Sequence, residues 1–156
     1  MNILGIVKED FLQYKKPSMF IIFPKCTMKC EKDCGEKCCQ NRSLLNQPLI
    51  TISKEIIIND YLKDTITKAV VFGGMEPLDS FSEIIEFIDA FRKVCNDDIV
   101  IYSGYYESEI QQKITELKKY QNIILKVGRY IPHSSPVQDP LLGITLASNN
   151  QYAIRL

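Results

Sequence analysis

The sequence has no apolar run long enough to span a bilayer, no run of lysine or arginine longer than two residues, a single histidine, and no CxxC pair. Each absence excludes something. A membrane helix needs about 18 or more consecutive apolar residues. The first ten residues carry Lys8, Glu9 and Asp10 in place of the basic start and apolar core of a secretory leader. A cytoplasmic protein without a membrane partner is therefore expected. Nineteen basic residues balance nineteen acidic ones. With no basic cluster to neutralise phosphates, nucleic acid is not an expected partner. His133 lies between Pro132 and Ser134 and reads as a solvated loop residue. Without paired carboxylates beside it, no catalytic acid or base is indicated. The two CxxC-like pairs of a zinc knuckle are missing, and no internal repeat or low-complexity tract occurs.

What is present is unevenly distributed. The 156 residues are 46% hydrophobic, enough for one ordinary core, so a single domain over 1–156 is expected. Of six cysteines, five lie between Cys26 and Cys39. Lys29, Glu31, Lys32, Asp33, Glu36 and Lys37 separate them, which is not the apolar setting of core thiols. In a reducing compartment such a cluster points to metal ligands or redox groups before a disulfide framework. Thiolates in this number suit zinc, which takes four closed ligands, or an iron–sulfur cluster, which can take three and leave one iron open.

Elsewhere, strand and helix patterns alternate. Met19 to Phe23 is a buried strand stopped by Pro24, and the cysteine segment, a loop over 24–43 with no apolar periodicity, leaves its end. Ser53 caps a helix with Ile56, Ile57, Tyr61 and Leu62 at helical spacing, ending near Asp64. Ala69 to Phe72 is a strand ending in Gly73-Gly74. Asp79 or Ser80 caps a helix carrying Ile84, Ile85, Phe87, Ile88 and Phe91 to about Cys95. Ile99 to Tyr102 and Ile123 to Val127 are strands separated by a helix over 107–120, and Gly143 to Ala147 is a last candidate strand. This alternation predicts an α/β fold with a mostly parallel sheet, too few strands to close a full barrel, and hence an open partial (β/α) barrel. Ligands collect at the C-terminal ends of such strands. The segments leaving those ends are 26–41, 73–79, 103–106 and 128–130.

Those segments carry a resemblance. Cys26-Thr-Met-Lys-Cys30 resembles the CxxxC opening of the radical S-adenosylmethionine superfamily. There a third cysteine usually follows after two residues, whereas here it is delayed. Cys39-Gln40-Asn41-Arg42-Ser43 is similar to the run around the third ligand in activating proteins of anaerobic ribonucleotide reductase. The resemblance implies a [4Fe–4S] cluster on Cys26, Cys30 and Cys39, with six extra residues inserted within 31–38. Cys34 and Cys38 stand as alternative third ligands. Whichever thiols are spare form a reversible disulfide, bind a second metal or stay free.

Gly73-Gly74-Met75-Glu76-Pro77 resembles the superfamily's GGE-type motif, with Met75 inserted. The motif contacts the amino group of S-adenosylmethionine, a role that glycine backbone and a carboxylate suit. Tyr102-Ser103-Gly104-Tyr105 resembles a cofactor-contacting segment of the same activating proteins. Gly128-Arg129-Tyr130 resembles their Asp-Gly-Arg-Phe, although Val127 stands at the acidic position. Asp139 and Ala147 to Gln151 are similar to their C-terminal tail. The implied cofactor contacts are Gly73, Gly74, Glu76, Ser103 and Gly104, and the implied cofactors are a [4Fe–4S] cluster and S-adenosylmethionine. The implied activity is reductive cleavage of the sulfonium to methionine and a 5′-deoxyadenosyl radical. The implied partners are a glycyl-radical enzyme, such as anaerobic ribonucleotide reductase, and a one-electron reductant such as flavodoxin. A non-catalytic iron–sulfur or zinc module for electron transfer or assembly is the alternative from outside enzymology.

Overall fold

Aromatic and β-branched residues that pack on both faces of a sheet make the first central strand of the protein, Ser18–Phe23. A computed structural model describes residues 1–156. Its elements are β1 (Asn2–Ile3), β2 (Gly5–Asp10), β3 (Ser18–Phe23), α1 (Lys29–Cys34), β4 (Ile50–Thr51), α2 (Lys54–Lys63), β5 (Ala69–Gly74) and α3 (Phe81–Phe91). They continue through β6 (Asp98–Tyr102), α4 (Gln111–Leu117), β7 (Ile123–Val127), β8 (Val137–Asp139), β9 (Ile144–Leu146) and β10 (Tyr152–Arg155). Short 3₁₀ turns cover Arg42–Asn46, Pro77–Ser80 and Glu107–Glu109.

The main sheet has the order β10-β7-β6-β5-β3-β2. Its four central strands are parallel, β2 and β10 run antiparallel at the edges, and the ends do not meet. The fold is thus α/β with an unclosed, mostly parallel sheet. The antiparallel edges went unforeseen because β2 carries Lys8, Glu9 and Asp10 and β10 is only four residues long.

Strand alternation divides the core. Val70, Phe72, Ile99, Ile101, Ile123 and Leu125 pack against the helices on one face. Ala69, Val71, Val100 and Ile124 face the other way, against Tyr14, Leu142 and Leu146. The β2–β3 loop and the β8–β9 hairpin therefore fill the concave side. In α3, Ile84, Phe87, Ile88 and Phe91 form the buried stripe, with Phe87 set edge-on to Phe72 at a 5.3 Å centroid separation.

Three local readings need correction. The buried residues of α2 are Ile57, Ile58 and Tyr61, while Ile56 and Leu62 face solvent. Ser80, and not Asp79, stands at the N-cap position of the helix after β5. Glu76 caps the preceding turn, accepting from the Leu78 amide at 3.1 Å, and Ser80 makes no side-chain cap bond. The cysteine segment is not loop throughout, because α1 lies within it, ended by Gly35 in the left-handed region with φ 75°.

No helix is long and apolar enough to cross a membrane.

Candidate functional site

Strand register builds the floor of the site. Ile22 pairs with Gly73, and Tyr102 with Lys126, close to the C-terminal ends of their strands. Counting by twos from Val71, Val100 and Ile124 puts all four on the concave face. They floor a cavity of about 580 Å³, within the usual range for small-molecule sites. Cys26, Cys30 and Cys39 line its wall together with Gly73, Gly74, Glu76, Ser103 and Gly104. The three implied cluster ligands and the five implied cofactor contacts thus meet in one space. Cys34 and Cys38 are absent from that lining, and their sulfurs lie 2.9 Å from each other.

The cysteine segment is fastened to the neighbouring loops by named bonds. The sheet ladder runs on past β5, with the Met75 amide donating to Phe23 O at 3.0 Å and the Glu76 amide to Lys25 O at 2.7 Å. Asn41 Nδ2 donates to Gly74 O at 2.5 Å, which brings the Cys39 end of the segment to the same loop. Asp79 accepts from the Thr27 amide at 3.0 Å and from Tyr105 Oη at 2.6 Å, so its carboxylate joins the cysteine loop to the loop after β6. On the far side, Arg129 forks onto Glu109 at 2.8 and 2.6 Å, and its Nε lies 2.7 Å from Asp33 Oδ2. Lys29 reaches Glu109 at 2.9 Å. Both ends of α1, which carries Cys30, are therefore tied to the Glu109–Arg129 ion pair, one through Lys29 and the other through Asp33.

Burial sets the ionisation of the groups in this space. It pushes the Cys26 thiol up to about 11 and raises that of Cys30, whose neighbour Cys39 adds like-charge repulsion. Ligation must then release protons. Glu76 is 5% exposed, and burial lifts its carboxyl to about 7. Its two oxygens accept from the Gly104 amide at 2.7 Å and the Leu78 amide at 3.1 Å. A carboxylate offers about four lone-pair sites, so it can still accept from an ammonium. Gly73 and Gly74 have a packing reason besides: an added Cβ would sit 2.5 Å from Phe20 Cε2 and 2.6 Å from Ile22 Cγ2, respectively. Gly104 is different in kind, since a Cβ there would point between Cys30 Sγ and Glu76 Oε2 at 3.5 and 3.6 Å.

One site residue was missed in the sequence. Lys126 is buried on the cavity floor, donating to Gly128 O at 2.9 Å and Ser103 O at 3.3 Å, and burial brings its ammonium down to about 8. The signal was a charged residue inside the apolar run Ile123 to Val127, on the inward period. The tail residues act on the loops: Gln151 donates to Gly128 O, Asn150 to Arg129 O, and Asp139 accepts from the Ala153 amide. His133 has a 92% exposed side chain, as its loop position led us to expect.

The donor set fits an iron–sulfur group. Three thiols share one wall of a roomy cavity, and no three His, Cys, Asp or Glu side chains converge tightly enough to hold a single metal ion. A cluster of several irons sets its thiolates farther apart than one tetrahedral ion does.

Neither the curated proteins nor the solved structures include a significant match. A family described as the 4Fe–4S single cluster domain matches residues 18–152, from β3 to the start of β10. This is a radical S-adenosylmethionine type of domain, so a [4Fe–4S] cluster and S-adenosylmethionine are its cofactors. With nearly its whole length matched, and with three thiols and a buried carboxylate facing one cavity at the ends of parallel strands, the chain belongs to the 4Fe–4S single cluster domain family.

Proposed function

We propose that the protein is a radical enzyme that holds its cluster on Cys26, Cys30 and Cys39 and installs a glycyl radical on a larger partner of the anaerobic ribonucleotide reductase type. One observation carries the ligand assignment: Cys26, Cys30 and Cys39 line the same cavity as Glu76 and Gly104, while Cys34 and Cys38 turn toward each other. Three thiolates leave one iron for the amino and carboxylate groups of S-adenosylmethionine. When bound, the reduced cluster supplies the electron that splits the sulfonium, yielding methionine and a 5′-deoxyadenosyl radical.

The residues of the chain bind and orient. Glu76 offers a carboxylate to the methionyl ammonium, held in place by two backbone amides. Gly73, Gly74, Ser103 and Gly104 bring backbone close to the ligand. Homolytic cleavage calls for an electron and needs no proton transfer from these residues. The macromolecular partner is favoured by the resemblance of the Cys39 to Ser43 and Ala147 to Gln151 segments to those of the reductase-activating proteins.

The test is direct. Anaerobically reconstituted, dithionite-reduced protein should convert S-adenosylmethionine to methionine and 5′-deoxyadenosine, and a glycyl radical should appear by electron paramagnetic resonance when the partner reductase is added. Products without a protein radical would refute the partner. A loaded cluster with no products would leave a non-catalytic iron–sulfur module, and a protein that takes up zinc alone would remove the cluster reading altogether.

A further inference from the structure

Two of the five clustered thiols have no place in that reading. Cys34 Sγ and Cys38 Sγ stand 2.9 Å apart, so a closing movement of under about 1 Å would reach the S–S bond length of about 2.05 Å. The side chains are aimed at each other, outside the cavity lining. Cys34 ends α1, and the turn between the two is open: Gly35, Glu36 and Lys37 are exposed, and nothing lies within 4 Å of a Cβ built on Gly35. The sulfurs are half-buried but next to solvent, and the turn can adjust without disturbing packed side chains.

We infer that Cys34 and Cys38 form a thiol-oxidation site that closes to a reversible disulfide by exchange with a small disulfide of the oxidised-glutathione class. The balance is simple. One thiol loses its proton and attacks the small disulfide, giving a mixed disulfide and one glutathione thiolate, which takes up that proton. The second protein thiol then attacks the mixed disulfide at the protein sulfur and releases the second glutathione. Two protein thiols are oxidised, one glutathione disulfide is reduced, and no metal takes part.

The site touches the ligand-bearing segment by one peptide bond. Cys38 precedes Cys39, whose amide donates to Glu31 Oε1 at 3.2 Å, and Arg42 holds the same carboxylate at 2.6 Å. Closing the 34–38 turn therefore restrains the backbone that delivers Cys39. Cytosolic disulfides are mostly of this transient, responsive kind. The inference goes beyond the proposed activity and requires only that neither Cys34 nor Cys38 binds iron.

The experiment uses the full-length, cluster-loaded protein under anoxia, incubated with oxidised glutathione, alkylated and mapped by peptide mass spectrometry. The expected product has lost two hydrogens across 34–38, is restored by dithiothreitol, and retains all its iron. In C38S the mixed disulfide at Cys34 cannot be resolved, so its glutathione adduct should accumulate at least about tenfold over wild type, because the neighbouring thiol acts at high effective concentration. Three results would overturn the inference: stable glutathione on Cys34 or Cys38 in the wild type, a link involving Cys26, Cys30 or Cys39, or no modification at all. Loss of iron from C34S or C38S would also defeat it, by making that thiol a ligand. Failure to cleave S-adenosylmethionine bears only on the proposed function and leaves this exchange untouched.

Discussion

Replacing Arg129 with methionine tests whether ion pairs, and not the chain alone, keep the Cys30 helix where the cavity needs it. Arg129 is 5% exposed and makes a two-pronged contact with Glu109 and a single contact with Asp33. Taking one partner out of a buried pair costs about 3–5 kcal/mol. The carboxylates left behind are 26% exposed at Glu109 and 56% at Asp33, and Glu109 keeps Lys29 and the Tyr106 amide. Solvent and these donors lower the expected loss to about 2 kcal/mol. The contacts join α1 to the end of β7, so the loss falls on opening of the cysteine segment. That opening should become about thirtyfold more frequent.

The assay is the rate of iron transfer from reconstituted protein to excess chelator under anoxia. R129M should lose iron about thirtyfold faster, and R129K should recover only part of the difference, because an ammonium cannot make the forked contact. The ionisation of Glu109 supplies a second check. Hydrogen bonding from Arg129 holds its carboxyl down at about 2, so its stabilising share is complete above the unfolded carboxylate range and is lost as pH falls through about 2. The melting-temperature gap between wild-type and R129M apoprotein should accordingly narrow below about pH 4.5. Iron release at the wild-type rate from R129M, alongside a lowered melting temperature, would refute the argument and reduce Arg129 to a general stabiliser of the fold.

Further predictions follow from the same geometry. Serine at Cys26, Cys30 or Cys39 should abolish cluster assembly as read by iron and sulfide content, whereas serine at Cys34 should leave it intact. Because burial raises Glu76 to about 7, its ionised form is depleted in mild acid, and S-adenosylmethionine should bind about tenfold more weakly at pH 6 than at pH 8. A flat affinity profile would exclude Glu76 as the ammonium partner. The same raised value means that the stabilising share of Glu76 is complete below about pH 4.5 and lost as pH rises through about 7. Apoprotein melting should show that slope, and E76Q should flatten it. Phe87, fully buried between Phe72 and Phe91, should cost about 3–5 kcal/mol when cut to alanine, measured by denaturant unfolding. Gly74 has φ 89° and its Cβ space is taken by Ile22, so G74A should lower the melting temperature even without ligands.

The central strands were legible because each is a short apolar run ending in glycine, serine or proline, a pattern that few other structures satisfy. The α3 stripe was equally plain, since five apolar residues repeat at helical spacing. The edge strands were not, because β2 mixes charge into its pleat and β10 is too short for alternation to register. Nor was α1: Lys-Cys-Glu-Lys-Asp-Cys has no apolar face, and its place comes from ion pairs with Glu109 and Arg129, far away in sequence. Asp79 illustrates the same limit. Its position before a helix suggested a cap, yet its partners are Thr27 and Tyr105, which only tertiary structure brings near. Spacing left three thiols competing for the last ligand position; in the fold Cys39 lines the cavity, and Cys34 and Cys38 do not.

Where the β-ladder continues beyond β5, the cysteine loop and the glycine loop share one hydrogen-bonded spine, Phe23 to Met75 and Lys25 to Glu76. Mechanically this makes them a single rigid body, so thermal motion that displaces one carries the other along. Amide hydrogens on both loops should accordingly exchange together, in one cooperative opening.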